Sequence, residues 1–529
     1  MRKKKALYNF ITSVALQIAS IVCGLIVPRL IISTYGSDIN GLINSITQFL
    51  AYITLLESGF GPVILSALYK PIADNDKLKI EKLLKFTESF FRKISYIFLI
   101  YIILLCFIYP HIINSDYDNF FTVSLIIIIS LSTFSEYFFG LTNSIYLQAD
   151  QKKYVISIIR FITTIINTLI ICLLVKLNFS IIIVKVSTAL IYASRPIVLS
   201  LYVKKKCQID LSKVKEKEKI KERWDGLSQH IAGTIYSNTD VTLLSLFSKM
   251  SEVSVYSVYN LVLTSVKNFV CILTDSVQAG FGDMIAKDEI TNLNNKFNIY
   301  EFLYFTTITI VYSCTAVLIV KFVNIYTRGI TDANYVRPVF SLILVSAVFV
   351  HAVKSIYNSL AFTAGKFKET HKGSWVEAFS NLLISFCLVF KYGIVGVAIG
   401  SLVSVLIRCF EFMIFTSKKI LKRNLKKTFI NVFLCFFQYI SIYLICNNII
   451  NFNVTSYFDW FLSAIVVGLI SVFIVVPLNI IFYKNESRII FSSIHNKIRK
   501  VKWWKYVLFI IQFLLKVVFK DVWLYYPII

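Results

Sequence analysis

Residues 228–285 read SQHIAGTIYSNTDVTLLSLFSKMSEVSVYSVYNLVLTSVKNFVCILTDSVQAGFGDMI, two apolar runs joined by a short polar turn, with Asp240, Lys267 and Asp275 set inside the apolar sequence. A charge in hydrocarbon costs several kcal/mol and persists where it faces a partner or a watery cavity. Asn238 and Thr239 add neutral hydrogen-bonding groups beside Asp240, the composition of a helix face turned away from lipid. The two runs are therefore expected to cross a membrane and to wall an internal polar cavity.

The rest of the chain has the same character. Its 529 residues are 57% hydrophobic and 15% aromatic, with a mean hydropathy of +0.71 and only 8 Pro and 17 Gly to break helices. That composition predicts an all-α, polytopic membrane protein. Ten cysteines are scattered without a C-x-x-C pair, the five histidines lie far apart, and no G-x-x-x-x-G-K-[ST] phosphate loop occurs. No disulfide framework, metal centre, cofactor or ATPase engine is indicated, so no enzyme is read from the sequence. Energy, if needed, would come from an ion gradient or a partner.

Apolar runs long enough to cross a core about 30 Å thick recur about fourteen times. They begin after the basic start Met1–Lys5, read as an uncleaved first span, and the last ends near residue 482. If the chain starts inside, most of the 55 lysines and arginines fall on the cytoplasmic side, above all in 70–93, 204–223, 418–427 and the tail after Tyr483. The positive-inside rule then places both termini in the cytoplasm. A net charge of +26 would suit nucleic acid, but its position beside the spans points to anionic membrane lipid instead. The longest outer loops, 321–337 and 447–457, leave no room for an extracellular catalytic domain.

A repeat divides the chain. NSIYLQADQKK from Asn143 is echoed by NSLAFTAGKFK from Asn358, Asn167–Ile170 (NTLI) by Asn381–Ile384 (NLLI), and the Gly-Phe-Gly at 59–61 by the one at 280–282. Each half holds six spans, an even number, which predicts parallel repeats about an axis along the membrane normal, with substrate bound where they meet. The expected organisation is a six-helix bundle over 1–203, a basic linker over 204–225 and a second pseudo-symmetric bundle over 226–416. Two additional helices over 417–482 and a basic tail over 483–529 follow, the tail carrying an interfacial helix near 507–519.

Arg29, Arg160 and Lys185 lie near predicted span ends, where their stems can reach an interface. Glu57, Arg195, Asp240, Lys267, Lys354 and Arg408 lie deeper, and two roles are open to them. They form internal ion pairs that fix helix packing, as Arg408 and Glu411 three residues apart suggest, or they line a cavity. Arg29, Arg195, Lys267, Lys354 and Arg408 together, with Asn238 and Asp240 beside them, would suit an anionic headgroup such as a diphosphate, through charge-assisted hydrogen bonds.

The runs Asn238–Tyr259 (with NTD, LLSLF and VSVYSVY), Tyr326–Tyr335 (YTRGITDANY), Asn358–His371 (NSLAFTAGKFKETH) and Gly393–Glu411 (GIVGVAIGSLVSVLIRCFE) carry a resemblance. Over nearly the whole chain to about residue 482 it resembles the Wzx-type polysaccharide transporters of the multidrug, oligosaccharidyl-lipid and polysaccharide exporter superfamily. The resemblance implies two six-helix bundles forming a V, alternating access, and transfer of a polyprenyl-diphosphate-linked oligosaccharide between leaflets of a bacterial plasma membrane. It places Asn238 and Asp240 on the first helix of the second bundle, with Lys267 facing the lumen. Na+ or H+ coupling through Glu57 or Asp240 is a further expectation, as is partnership with a polysaccharide polymerase and other assembly proteins. An ion-coupled multidrug antiporter of the same fold is the competing expectation.

Overall fold

The computed structural model describes residues 2–57, 60–113, 117–207, 209, 211, 227–448, 454–490 and 492. Most of the predicted linker, Gly59 of the first Gly-Phe-Gly and the predicted interfacial helix near 507–519 lie outside them. The first half comprises α1 (Arg2–Tyr35), α2 (Ser37–Ala51), the short α3 (Thr54–Glu57), α4 (Phe60–Ala73), α5 (Lys77–Ile112), α6 (Asn119–Ser135), a π turn at Glu136–Gly140, α7 (Leu141–Ala149), α8 (Lys153–Lys176) and α9 (Ile181–Lys206). The second comprises α10 (Leu227–Phe247), α11 (Met250–Ala286), α12 (Ile290–Tyr326), α13 (Pro338–Thr363), α14 (Phe367–Tyr392) and α15 (Ile394–Phe415). A π turn at Thr416–Ile420, α16 (Leu425–Asn448) and α17 (Tyr457–Phe482) complete it.

Among the described residues 13 spans are long and apolar enough to cross a membrane, which makes this a multi-pass membrane protein. α10 has the length, 21 residues, about 31 Å at 1.5 Å per residue, but not the hydropathy. The polar side chains that exclude it from the apolar set are those that mark it as cavity-facing. With α10 included, every apolar run read from the sequence corresponds to a helical crossing, the second and fourth being broken by a bend or a π turn.

The repeat is written into the turns as well as the helices. Asn75 and Asp288 end corresponding helices with φ 55 in both, Gln151 and Gly365 with φ 58 and 68, and Asn178 and Gly393 with φ 56 and 54. At the first two pairs the six-residue closure is the same: Asp76 N–H reaches Pro71 O at 2.9 Å as Glu289 N–H reaches Met284 O at 2.9 Å, and Lys152 N–H reaches Leu147 O as Lys366 N–H reaches Ala361 O. This is the left-handed cap that satisfies the last carbonyls of a helix. The structure pairs Gln151 with Gly365, one residue out of the register that the sequence echo from Asn143 suggests.

The halves meet along α2 and α11 at the end of the bundle away from the chain's start, here the far side. Asp332, in the loop before α13, accepts the Ser37 N–H at 2.6 Å and its hydroxyl at 2.8 Å. A carboxylate from one half thus caps the N-terminus of a helix in the other, where the helix dipole favours negative charge. The Tyr335 hydroxyl joins Ser37 at 2.7 Å and Ser254 at 2.8 Å, and Asn40 donates to Ser254 at 2.8 Å. Gly41 permits this approach, since a Cβ there would lie 1.8 Å from the Met250 carbonyl oxygen. Deeper in, Gln48 bonds Asn238 and Tyr52 bonds Thr242 at 2.9 Å.

Candidate functional site

Two adjoining cavities lie in the second half, sharing Tyr236, Ser237 and His351 as a common wall. The larger, about 340 Å³, is bounded by α10, α13, α14 and α15, with Lys354, Glu377 and Arg408 in its lining. The smaller, about 220 Å³, contains Asp240, Lys267 and Ser401.

The cations of the larger cavity are anchored on acids. Lys354, 5% exposed, pairs through Nζ with Glu377 Oε1 at 2.5 Å and stands 5.6 Å from the Tyr236 ring centroid. Arg408, 2% exposed, pairs with Glu411 Oε2 at 2.5 Å, lies 3.7 Å from the other Glu377 oxygen, donates to Ser374 Oγ at 2.8 Å, and covers the Phe412 ring at 4.1 Å. One buried carboxylate therefore bridges two buried cations, which offsets a desolvation cost that neither ion would recover alone. Gly373 leaves the space for it, because a Cβ at that position would fall 1.6 Å from Glu411 Oε2.

Lys267 on α11 is electrostatically close to Lys354 and Glu377. No ion pair or hydrogen bond holds its ammonium among the described residues. Three cations and three carboxylates, Glu377, Glu411 and Asp240, thus meet around the two cavities, and Lys267 is the cation that no carboxylate holds within ion-pair distance among the described residues.

Asp240, 6% exposed, is held differently. Ser401 Oγ lies 2.6 and 2.8 Å from its two oxygens, the Tyr256 hydroxyl donates at 2.9 Å and the Asn381 amide at 3.4 Å, and Asn381 also donates to Ser401 at 2.8 Å. No cation lies within ion-pair distance among the described residues. A carboxylate on α10 surrounded by hydroxyl and amide groups from α11, α14 and α15 can take up a small cation or a proton without losing its frame.

The remaining expected site residues lie elsewhere. Arg29 reaches across the halves at the far side, donating to Ile325 O at 3.3 Å beside the Tyr326 ring, and so belongs to the closure. Arg195 stays within the first half, donating to Thr163 at 2.7 Å and Thr164 at 3.0 Å and stacking on Tyr192 at 3.7 Å. Glu57 hydrogen-bonds Tyr137, near Glu136 and His230, and shares no partner with Asp240. Convergence of all five cations on one vestibule is thus replaced by Lys267, Lys354 and Arg408 together, with Arg29 and Arg195 apart. Asn238 sits at the seam, bonded by Gln48 from the first half. Neither Arg160 nor Lys185 simply reaches out to an interface: Arg160 lies 3.5 Å from Glu136, and Lys185 lines an internal cavity.

Glu377 and Ser401 are the site residues that sequence reasoning passed over. Glu377 carried a signal, a carboxylate inside a predicted span four residues before the repeated Asn381. Ser401, a serine in an apolar helix, carried none. Glu301, fully buried and likewise a carboxylate inside a predicted span, was passed over too. It receives Arg423 at 2.7 Å, Tyr357 at 2.6 Å and Asn431 at 2.9 Å, a closed network that ties α16 to α12 and α13.

A helical membrane protein of two repeated bundles with polar interior clusters shares its fold with solved structures, among them transporters of the multidrug, oligosaccharidyl-lipid and polysaccharide exporter superfamily. Three solved structures make the likeness concrete. The lipid II flippase MurJ in an inward closed conformation superposes with a TM-score of 0.61 at 16% identity, covering 90% of this chain and 99% of that one. A multidrug resistance MATE family transporter of that superfamily, inward-facing, gives 0.58 at 11% identity, covering 79% and 99%. A superfamily transporter from Pyrococcus furiosus, whose binding pocket is described as reversed in polarity, gives 0.52 at 12% identity, covering 79% and 96%. These likenesses establish the fold. No family model matches the sequence, and no curated protein sequence matches it.

Proposed function

We propose that the chain is a flippase that carries a polyprenyl-diphosphate-linked oligosaccharide across a bacterial plasma membrane, for a surface polysaccharide such as capsule or O-antigen. The observation that carries this reading is the cluster of Lys267, Lys354 and Arg408 on adjoining cavities, in which no ion pair among the described residues holds Lys267. A diphosphate entering there would meet Lys267 directly and would compete with Glu377 for Lys354, forming charge-assisted hydrogen bonds that replace its lost hydration. Tyr236, Ser237 and His351 supply polar and aromatic surface for sugars, and the polyprenyl chain stays in lipid. The basic segments support a cytoplasmic location for the chain's start and both termini. The far-side closure through Ser37, Asp332 and Tyr335 then corresponds to a state closed to the outside, and rocking of the halves would break it. Asp240 is the better placed of the two acids to take Na+ or H+, because it lines a cavity and hydroxyl and amide groups from three other helices surround it.

The test is export of the glycan in a cell that depends on this chain. Lys267→Ala and Lys354→Ala, expressed at normal levels, are expected to slow export by about tenfold or more, the worth of a charge-assisted hydrogen bond or two. Full export by both variants would overturn the assignment. The unpaired Asp240 favours a second reading, an ion-coupled antiporter of cationic drugs. Drug resistance on overexpression, with no change in glycan on deletion, would select it.

A further inference from the structure

The first half contains its own cavity, about 420 Å³, between α2, α6 and α9, away from the cluster around Lys354. Its lining mixes apolar side chains with Thr47, Ser132, Thr133, Thr188, Tyr192 and Lys185. Among the described residues no hydrogen bond or ion pair holds the Lys185 ammonium, and none holds the Thr133 hydroxyl. Thr47, Ser132 and Thr188 donate to carbonyls of their own helices at 2.7, 3.2 and 3.1 Å, bonds that a hydroxyl gives up by rotating when a better acceptor arrives. Tyr192 accepts from Asn167 at 3.1 Å, which leaves its own hydrogen free to donate.

The second half shows that this cation is not a requirement of the fold. Lys185 is the fifth residue of α9, and the fifth residue of α15 is Ala398. Thr188 and Ser401 are the eighth residues of the same two helices, and Ser401 serves the acid Asp240. Glu136, an acid inside the first half, is already paired with Arg160 at 3.5 Å. An ammonium inside a bundle, with no carboxylate to answer it and donors arranged about an open volume, calls for an anion from outside the chain. A volume of about 420 Å³, against about 30 Å³ for a water molecule, accommodates an oxyanion attached to a sugar as readily as a free one.

We propose that Lys185 and the hydroxyls around it bind an oxyanion, a carboxylate or a phosphate, at a site in the first half separate from the Lys354 cluster. The site goes beyond the flippase reading and stands whether or not that reading holds. The ligand has two possible sources, an acidic sugar or a free inorganic ion, and the test separates them.

The full chain, purified in detergent, is titrated with inorganic phosphate or with glucuronate against choline chloride at matched ionic strength, and its thermal unfolding is followed. At least one anion is expected to raise the Tm saturably. Lys185→Met is expected to shift that midpoint by about tenfold or more, the worth of one charged contact. Lys185→Arg keeps it, and Lys185→Met still shifts it in a Lys267→Ala background, where the other half's cluster no longer answers the anion. A response to phosphate alone assigns a free ion, and a response to glucuronate assigns an acidic sugar. Lys185→Met removes a lone, partly buried charge and is expected to fold at least as well as the parent. Should it not, Thr133→Val with Thr188→Val gives a second readout, with a several-fold weaker midpoint expected. No saturable rise with either anion, or a wild-type midpoint in the variants, would overturn the proposal.

Discussion

Arg195 and Arg408 are each the fifteenth residue of their helices, α9 and α15, yet the two halves satisfy them in opposite ways. In the second half Arg408 meets two carboxylates, Glu377 and Glu411. In the first it meets the hydroxyls of Thr163 and Thr164 and the face of Tyr192. Thr163 and Glu377 are themselves the eleventh residues of α8 and α14. One position in the repeat has therefore been filled by a neutral acceptor in one copy and by an acid in the other. Neutral acceptors orient a guanidinium without cancelling its charge, whereas carboxylates cancel it and fix packing. The first half thus keeps uncancelled positive charge at Arg195 and Lys185, and the second keeps a paired cluster next to a lone acid, Asp240. The two halves share a frame, and their interiors are charged differently.

The largest expected effect tests that contrast directly. Glu377→Ala would leave Lys354 and Arg408 buried with too few partners and is expected to destabilise the protein by about 3–5 kcal/mol. The matching Thr163→Ala removes one hydroxyl contact and should cost about 1 kcal/mol. Thermal denaturation of both variants measures the difference, and equal losses would erase the distinction between the halves. Gly41→Leu comes next, because it drives a side chain into the Met250 carbonyl where α2 crosses α11. It is expected to cost about 1–3 kcal/mol and to open the far side, read as faster maleimide labelling of Ser257→Cys with the native cysteines replaced. Unchanged labelling would show that the halves are held together elsewhere. The smallest effect concerns the shared turn. Gly365 has φ 68 and Gln151 has φ 58, so Gly365→Gln should destabilise by about 1 kcal/mol and Gln151→Gly should stabilise by less than that. Loss of stability in both would mean that the two turns are not equivalent.

Much of this was legible in the residues. Each apolar run became a crossing, and the Asn143 and Asn358 echoes lie in matching helices that end in the same left-handed turn. Asp240 in the NTD run is buried against polar groups, as its neighbours Asn238 and Thr239 implied. Pairing was harder to read. The sequence marks Lys354 as an intramembrane cation but cannot say that Glu377, on the next helix and 23 residues away, bridges it to Arg408. Arg29 and Lys185 show the same limit in opposite directions. Arg29 was placed in the central site and closes the far side, whereas Lys185 was placed at an interface and lines an internal cavity.

Hydropathy, basic flanks and the repeat determined that the chain crosses a membrane many times in two related halves, because burial of apolar length is a local property that each segment carries by itself. The tertiary structure alone decided which intramembrane charges cancel. That depends on which face of each helix meets which neighbour, and two helices of identical periodicity can turn a lysine towards a carboxylate, a hydroxyl or an empty cavity without any change in their pattern of apolar residues.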